Sequence, residues 1–335
     1  MTRTRAGVAR GVLAGALTAA AIVAGGCGSG GSQNAKKANH PKGAPTAAGT
    51  RAGVQGVGLR LVSTRSLPAP VQLPGLARVG STVLAAGGLD AADTSVADVV
   101  RVSPGSPRRV GALPSPVHDV GTAVLGSRLY VFGGGSATGP TDAITEVGAS
   151  GRSRAVGRLP VALSDATAVT LGSTAYVIGG YTTTTPLRSV LAFRPGRGVR
   201  EVAALPHPLR YAAAAAIGGR LLIAGGTDGT TARDEILSVD PARHRARVVG
   251  HLPARGAPAA GAALAGTFYV VGGRGDGPTS QRRRIWAIDP ASGHVRAAGA
   301  LPYALSDLGA VASGSRLVVA GGRDARGVVH RELLE

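Results

Sequence analysis

The sequence contains little cysteine and few aromatic residues. Cys27 is the only cysteine in the 335 residues, so the chain beyond it has no disulfide within itself and must derive its stability from packing. Aromatic residues make up 3% of the chain, so a core must be built from alanine, valine and leucine. With 44% hydrophobic residues, the chain is nevertheless too apolar for a disordered protein and can bury a large core.

Lysine is almost absent, although the chain is strongly basic. The only lysines are Lys36, Lys37 and Lys42, and arginine carries nearly all of the positive charge behind the formal net charge of +19. This balance indicates either an anionic partner, such as nucleic acid, a wall polymer or acidic lipid, or GC-rich coding that enriches arginine. The arginines are scattered, with one cluster at 282–284, and no aromatic residues alternate with them to stack bases. We therefore expect no nucleic-acid partner.

The amino terminus has the features of an export signal. Arg3, Arg5 and Arg10 form a positive segment, and sixteen uncharged residues then lead to Cys27. This run is shorter than the roughly twenty residues of a membrane-spanning helix, as is typical of a secretory signal. Its end, "VAGGC", resembles the lipobox of bacterial lipoproteins, in which the cysteine is acylated.

We therefore expect residues 1–27 to be a lipoprotein signal peptide and Cys27 to be the lipid attachment site. The protein would then be exported and anchored to the outer face of the cytoplasmic membrane. The alternatives are a signal that the general peptidase cleaves and an uncleaved anchor. Residues 28–56 are polar and rich in glycine, serine, alanine and proline, so they are expected to form a disordered tether.

A twenty-residue phrase recurs through the rest of the chain. "SPVHDVGTAVLGSRLYVFGG" (115–134) returns as "VALSDATAVTLGSTAYVIGG" (161–180), and six copies end on glycine pairs 46 to 49 residues apart. A Leu-Pro pair precedes each copy, with its leucine twenty residues before the first glycine. A repeat of this length with two strands before the glycines is typical of a propeller blade.

The chemistry of the phrase supports this interpretation. Its first half is small and apolar, as innermost strands around an axis require, so the alanines at 212–216 are expected in a strand despite their helix propensity. Its second half is a continuous apolar run, which is typical of a strand covered on both faces. A third strand, such as "EILSVDP", and a fourth, such as "RARVVGHLP", follow in each unit. The sequence therefore predicts four-stranded antiparallel blades in an all-β fold.

The two ends of this region complement each other. The sixth unit stops at its third strand, "GVVHRELLE", and "VGLRLVSTRSLP" (57–68) is a fourth strand with no unit of its own. We therefore predict a six-bladed β-propeller over residues 57–335, closed by the amino-terminal strand joining the carboxy-terminal blade. Residues 58–64 are expected to lie alongside 328–334.

The glycine pairs in "YVFGG", "YVIGG" and "YVVGG", together with the Leu-Pro pairs, resemble kelch repeats over residues 57–335. The repeats are degenerate, because the aromatic pair that usually follows the glycines has almost no counterpart except Trp286. Copper-containing kelch enzymes need a cysteine cross-linked to tyrosine, which this region lacks. Another kelch type, the bacterial sialic-acid mutarotase, implies acid and base residues at the mouth of the channel, and His118 and Asp119 are the candidates.

Propellers usually bind at one rim, where loops lead into the inner strands and follow the second strands. The first loops place six residue pairs at this rim: Gln72-Leu73, His118-Asp119, Ser164-Asp165, Arg210-Tyr211, Ala257-Pro258 and Ser306-Asp307. The second loops add Asp90, Tyr181, Asp228, Arg274 and Arg323. These residues predict a polar pocket for a sugar-like ligand. The alternative is that Asp119, Asp165 and Asp307 cap turns by accepting backbone hydrogen bonds.

No nucleophile elbow, phosphate loop or histidine pair at metal spacing is present, so we expect no metal or cofactor. The sequence is best interpreted as a monomeric binding or scaffolding module that engages a protein or a cell-envelope glycan. The alternative function is a carbohydrate-active enzyme of the mutarotase type. The two differ in geometry, because an enzyme needs an acid and a base within a few ångströms of each other across the channel mouth.

Overall fold

The computed structural model describes residues 58–257 and 259–335, which form a six-bladed β-propeller. The predicted all-β fold is confirmed: these residues contain strands and turns and no helix, and so no helix that would be long and apolar enough to cross a membrane. The predicted signal peptide (1–27), Cys27 and the predicted tether (28–56) lie outside the described residues.

The blades are numbered in chain order from the first complete unit. Blades 1 to 3 contain β2 (Gly75–Val79), β3 (Thr82–Ala86), β4 (Asp98–Ser103) and β5 (Arg108–Ala112); β6 (Gly121–Leu125), β7 (Arg128–Phe132), the short β8 (Gly135–Ser136), β9 (Gly139–Gly148) and β10 (Ser153–Leu163); and β11 (Thr167–Leu171), β12 (Thr174–Ile178), β13 (Ser189–Arg194) and β14 (Gly198–Ala204).

Blades 4 to 6 complete the ring, and the last of them includes β1. Their strands are β15 (Ala213–Ile217), β16 (Arg220–Ala224), β17 (Glu235–Asp240) and β18 (Arg245–His251); β19 (Ala260–Leu264), β20 (Thr267–Val271), β21 (Arg282–Ile288) and β22 (Val295–Leu305); and β23 (Gly309–Ser313), β24 (Arg316–Ala320), β25 (Glu332–Leu334) and β1 (Thr64–Ser66).

The innermost strands of the six blades stand next to one another around a central channel. They are crowded, which explains their glycine and alanine content: a Cβ atom on Gly261 would lie 2.5 Å from the backbone nitrogen of Ala214 in the neighbouring blade. The alanine run of blade 4 therefore forms strand β15, as predicted, because tertiary packing overrides its helix propensity.

The hydrophobic core is divided into six clusters, each shared by two adjacent blades. Strand β20 shows the arrangement, because all five of its residues are buried. Phe268 packs against blade 4 and Tyr269 packs against blade 6, since successive side chains of a strand point to opposite faces. Covering both faces of each blade is what makes the second half of the repeat continuously apolar.

The glycine pairs join each blade to the next. The backbone N–H of Gly180 donates to the carbonyl oxygen of Leu209, which belongs to the loop leading into the next blade, at 2.9 Å. Gly179 has φ +62°, and a Cβ atom there would lie 2.0 Å from the same oxygen. Both contacts recur in every blade, through the carbonyls of Val71, Val117, Leu163, Leu209, Gly256 and Leu305. The repeated glycines are therefore required by space as well as by backbone conformation.

The amino-terminal strand closes the ring, as predicted, but with a different register. Strand β1 pairs with β25 through Thr64–Leu334, Arg65–Leu333 and Ser66–Glu332. The expectation that all of 58–64 would lie alongside 328–334 is wrong for the first residues. The backbone N–H of Leu59 instead donates to Ala298 in the outer strand of blade 5.

The outer strands of blades 2 and 5 are longer than the repeat predicted. Strand β10 and strand β22 have eleven residues each and run through their Leu-Pro pairs. In β10, the pairing with β9 jumps from Arg158 to Leu163, so Pro160 falls in an irregular stretch where its missing N–H leaves no ladder bond unmade. An outermost strand tolerates proline because one of its edges is free.

Candidate functional site

The ring has two faces, and the predicted rim residues lie on one of them. We call the face that carries the loops after each second strand and after each fourth strand the mouth face. The face that carries the turns after each first and third strand is the far face. The predicted residue pairs at the mouth face are split between two locations.

The first member of each pair makes a short antiparallel bridge to the residue after the glycines. These bridges are Gln72–Leu89, His118–Gly135, Ser164–Tyr181, Arg210–Thr227, Ala257–Arg274 and Ser306–Arg323. Of the residues predicted from the second loops, Tyr181, Arg274 and Arg323 are therefore adjacent to residues of the first loops.

The second member of each pair lines the central channel, a cavity of ≈ 400 Å³. Its described members are Leu73, Asp119, Asp165, Tyr211 and Asp307, whose φ angles lie between 53° and 61°; Pro258 lies outside the described residues. This left-handed conformation is uncommon for residues other than glycine and costs about 1–3 kcal/mol at each position. Five residues other than glycine therefore have positive φ angles at the same repeat position, all at the channel mouth.

Backbone hydrogen bonds link these residues around the mouth. The N–H of Asp165 donates to the carbonyl of Asp119 at 3.0 Å, and that of Tyr211 donates to the carbonyl of Asp165 at 2.9 Å. On the other side, the N–H of Leu73 donates to the carbonyl of Asp307 at 2.6 Å. The chain of bonds fixes the direction of the side chains across the channel.

Five side chains from blades 2, 3 and 4 form one network. The Tyr211 hydroxyl donates to Asp119 Oδ2 at 3.3 Å, and Arg210 Nη2 donates to the Tyr211 hydroxyl at 3.3 Å. Arg210 also forms an ion pair with Asp165, whose side chain is 2% exposed, and its guanidinium lies 4.1 Å from the ring centre of Tyr181. Arg210 thus ties Asp165 to the phenol that contacts Asp119.

Burial changes the acidity of this network. Desolvation raises the pKa of Asp119 well above its usual range, and the negative charges of Asp165 and Asp307 raise it further. Burial likewise raises the pKa of Asp307. Desolvation also raises the pKa of the Tyr211 phenol, with Asp119 adding to the effect. The mouth therefore offers buried groups that hold protons and can donate hydrogen bonds, beside a carboxylate that accepts them.

His118 lies at the edge of the same network. Its Nδ1 is 2.8 Å from Ser95 Oγ, and its Nε2 is 3.8 Å from Asp119 Oδ2. Burial lowers the pKa of His118, against the opposing charge of Asp165. The imidazole is thus favoured in its neutral form, which can take up a proton near Asp119.

Blades 1 and 6 supply the opposite side of the mouth. The Ser306 hydroxyl donates to Asp307 Oδ2 at 2.5 Å. Arg323 Nη1 donates to Asp93 Oδ1 at 3.1 Å, and Gln72 Nε2 donates to the same oxygen at 2.5 Å. Asp93 therefore joins the two blades.

The other predicted residues stabilise loops or line a second cavity. Asp90 accepts backbone hydrogen bonds within its own loop, and so does Asp228, which also pairs with Arg233. Arg274 lines a cavity of ≈ 300 Å³ that shares Tyr211 with the channel. Asp90 and Asp228 therefore have a structural explanation that does not involve a ligand.

Turn capping does not explain the three recurring aspartates. In the described chain, the carboxylates of Asp119, Asp165 and Asp307 contact side chains of Tyr211, Arg210 and Ser306, and none accepts a backbone amide hydrogen bond. The alternative interpretation of these residues is therefore wrong. Two contributors were missed, Ser95 and Asp93, because they lie at irregular loop positions that the repeat does not mark.

Residues 58–257 and 259–335 contain no group of three or more histidine, cysteine, aspartate or glutamate side chains arranged to hold a metal ion. The chemistry that the mouth offers is hydrogen bonding and proton transfer by Asp119, Tyr211 and His118.

Comparisons with known proteins address the fold. No protein-family model matches the sequence, and no curated protein matches it. The chain is similar to the solved structure described as "Structure of YjhT", with a TM-score of 0.66 and 15% sequence identity over 80% of this chain and 95% of that chain. At this identity the similarity concerns the fold, and the chain has the architecture of a six-bladed β-propeller.

Proposed function

We propose that the channel mouth binds a hydroxylated ligand, a sugar unit of a cell-envelope glycan, and that the protein is a binding module. The observation that carries this proposal is the convergence of Asp119, Asp165, Tyr211 and Asp307 on one cavity in left-handed conformations. Backbone strain and neighbouring buried carboxylates both oppose folding, and such features concentrate where a ligand uses them.

The composition of the cavity suits a sugar. Its wall consists of the inner strands, which contribute alanine, glycine and valine residues together with Arg78, Thr122, Thr167 and Thr170, and its mouth carries donors and acceptors close together. A sugar hydroxyl both donates and accepts hydrogen bonds, so it fits a site with protonated Asp119 beside the Arg210–Asp165 pair.

The proposal includes the placement of the protein. The glycine pairs and Leu-Pro pairs support degenerate kelch repeats, and "VAGGC" supports export and acylation of Cys27. The Cys27→Ser variant should leave the membrane fraction and appear in the medium or soluble fraction. If it stays with membranes as strongly as the wild type, the lipid attachment is wrong.

Thermal denaturation with a saccharide panel tests the binding site. The probes are hexoses, N-acetylhexosamines, uronic acids and wall glycan fragments, added to protein from residue 28 onward. A bound saccharide raises the Tm, and Asp119→Asn should remove most of that rise. Asp289→Asn, at an exposed far-face turn, is the matched control and should keep the rise. If no saccharide raises the Tm of the wild type, the glycan proposal fails and a protein partner replaces it.

A second candidate function is supported by the closeness of His118 to Asp119. A mutarotase donates a proton to the ring oxygen of a sugar and removes the proton of the anomeric hydroxyl, so the ring opens and recloses with either configuration. Protonated Asp119 is a suitable acid, and neutral His118, 3.8 Å away, is a suitable base. Proton NMR exchange between the α and β anomers tests this function directly: a rate unchanged by added protein excludes it, and a rate that falls in Asp119→Asn supports it.

A further inference from the structure

The two faces of the propeller differ sharply in charge. The turns of the far face contain nine arginines and three acidic residues. These turns are residues 79–82, 103–108, 125–128, 148–153, 171–174, 194–198, 217–220, 240–245, 264–267, 288–295, 313–316 and 334–335. The loops of the mouth face contain nine arginines and twelve acidic residues. The two faces carry equal numbers of arginines, so the far face is basic because the topology places most of the acidic loop residues at the mouth face.

Most of the far-face arginines are exposed to solvent. Eight of the nine are exposed: Arg108, Arg128, Arg152, Arg194, Arg197, Arg243, Arg245 and Arg316. Four of these, Arg108, Arg152, Arg197 and Arg245, have no ion pair or side-chain hydrogen bond within the described chain, and each belongs to a different blade. The unpaired charge therefore forms an arc around the ring instead of a single pocket.

Exposed apolar side chains lie on the same side. Leu61 is 49% exposed and Val62 is 48% exposed, and they follow the exposed Arg60. The N–H of Val62 donates to the carbonyl of Glu335, and residues 58–62 line a cavity with Arg316 of a far-face turn. The described chain therefore enters the ring at the basic face, with two large apolar residues presented beside the arginines.

We propose that the far face docks on an anionic phospholipid bilayer. Anionic headgroups attract each nearby arginine, and apolar side chains at the edge of such a face insert at the level of the headgroups. The segment that precedes residue 58 joins the ring at this face, so an anchor at Cys27 would hold the arginines near the lipid. The choice of a bilayer over another anionic surface rests on the proposed export and anchoring. Docking in this orientation leaves the mouth face open to the envelope.

Vesicle flotation tests the proposal without the anchor. The protein from residue 28 onward contains every strand of the ring, and the described residues from 58 onward belong to one compact unit. It should float with vesicles that contain about 30% phosphatidylglycerol and remain free with pure phosphatidylcholine. Raising the salt from about 0.05 M to about 0.5 M should release it, since screening shortens the range of the attraction.

Paired variants localise the effect. R152Q/R197Q removes two free far-face charges, and R188Q/R255Q removes two exposed mouth-face charges with no described side-chain partner. The far-face variant should weaken partitioning about fivefold for each charge, and the mouth-face variant should change it much less. Adding R108Q and R245Q to the far-face pair should abolish flotation. Equal loss in the two pairs would show an attraction by net charge alone and would overturn the proposal.

Two further measurements separate this surface from other functions. Asp119→Asn should float as the wild type does, so a failed sugar-binding site leaves the docking result intact, and a failed docking result leaves the site intact. Tighter binding to a duplex oligonucleotide than to anionic vesicles, at the same salt, would show that the far face prefers nucleic acid and would contradict the bilayer.

Discussion

Asp119 at the channel mouth and Asp289 on the far face lie in opposite environments. At the mouth, burial raises the pKa of Asp119, and its carboxylate contacts another side chain. On the far face, backbone hydrogen bonds from Ser292 and Ala291 lower the pKa of Asp289, which closes its own turn. An aspartate therefore stabilises the folded chain at position 289 and opposes folding at position 119.

Two glycines, one on each face, differ in the space that surrounds them. Gly179 at the mouth and Gly172 on the far face both have positive φ angles, +62° and +61°. A side chain on Gly179 would collide with the next blade, but a Cβ atom on Gly172 would meet nothing within 4 Å. At these two positions, the mouth loop contacts the next blade, whereas the far-face turn at Gly172 only reverses the chain.

Replacing these two glycines should give the largest contrast in stability. Gly179→Ala combines an unfavourable φ with a clash against the Leu209 carbonyl, and we expect a loss of about 4 kcal/mol. Gly172→Ala has only the unfavourable φ and should cost about 1 kcal/mol. Urea denaturation measures both. Equal losses would mean that the contact between blades is not the reason for the glycine pair.

Removing an arginine should be costly at the mouth and nearly neutral on the far face. Arg210→Ala leaves the buried Asp165 carboxylate without its partner and should cost about 3 kcal/mol. Arg243→Ala removes a side chain that is 73% exposed, and Arg220 still pairs with Asp240. The far-face variant should therefore unfold at the wild-type urea concentration. A small effect of Arg210→Ala would show that Asp165 is not buried as described.

Replacing Asp119 with asparagine, which needs no proton uptake on folding, should stabilise the protein, on the order of 1 kcal/mol at neutral pH. Because its pKa is raised in the folded state, the wild type loses stability as the pH rises above the usual value of 3.8 toward the folded value. The Asp119→Asn variant does not lose stability in this way. The difference in free energy of unfolding between the variant and the wild type should therefore disappear near pH 4. Thermal unfolding across the pH range measures the difference, and a destabilised variant at neutral pH would contradict the raised pKa.

The far-face aspartate should show the opposite and smaller dependence. Asp289→Ala loses two hydrogen bonds from exposed backbone amides, and we expect a loss of about 0.5 kcal/mol at neutral pH. The pKa of Asp289 is lowered, so its contribution is present above the usual value and is lost as the pH falls through the folded value. The variant and the wild type should therefore converge in acid. A deficit that persists at low pH would assign the loss to another cause.

Much of the ring was predictable because each blade repeats the same sequence features at the same structural positions. The Leu-Pro pairs, the small first strand and the glycine pair mark elements at regular spacing, and the incomplete units at the two ends imply closure. The exact pairing of β1 was not predictable, because residues 58–63 have little pattern of their own and their path depends on Ala298 and Glu335. The lengths of β10 and β22 were not predictable for a similar reason, because the free edge of an outermost strand tolerates irregular pairing.

The candidate site was predictable as a set of positions but not as a network. The repeat places His118, Asp119, Asp165 and Asp307 at the mouth, yet it cannot tell turn capping from contact with a side chain. That choice depends on blades far apart in sequence, as the bond between Tyr211 and Asp119 shows. Ser95 and Asp93 lie in loops of irregular length, where no period marks them.

The sequence by itself determined the number of blades, their strand order and the residues that face the axis, because each follows from periodicity and from the size of side chains. Only the tertiary structure decided the charge of each face and the acidity of the mouth. Burial and charge proximity join residues across blades, and the desolvation that raises the pKa of Asp119 exists only once the ring has closed around the channel.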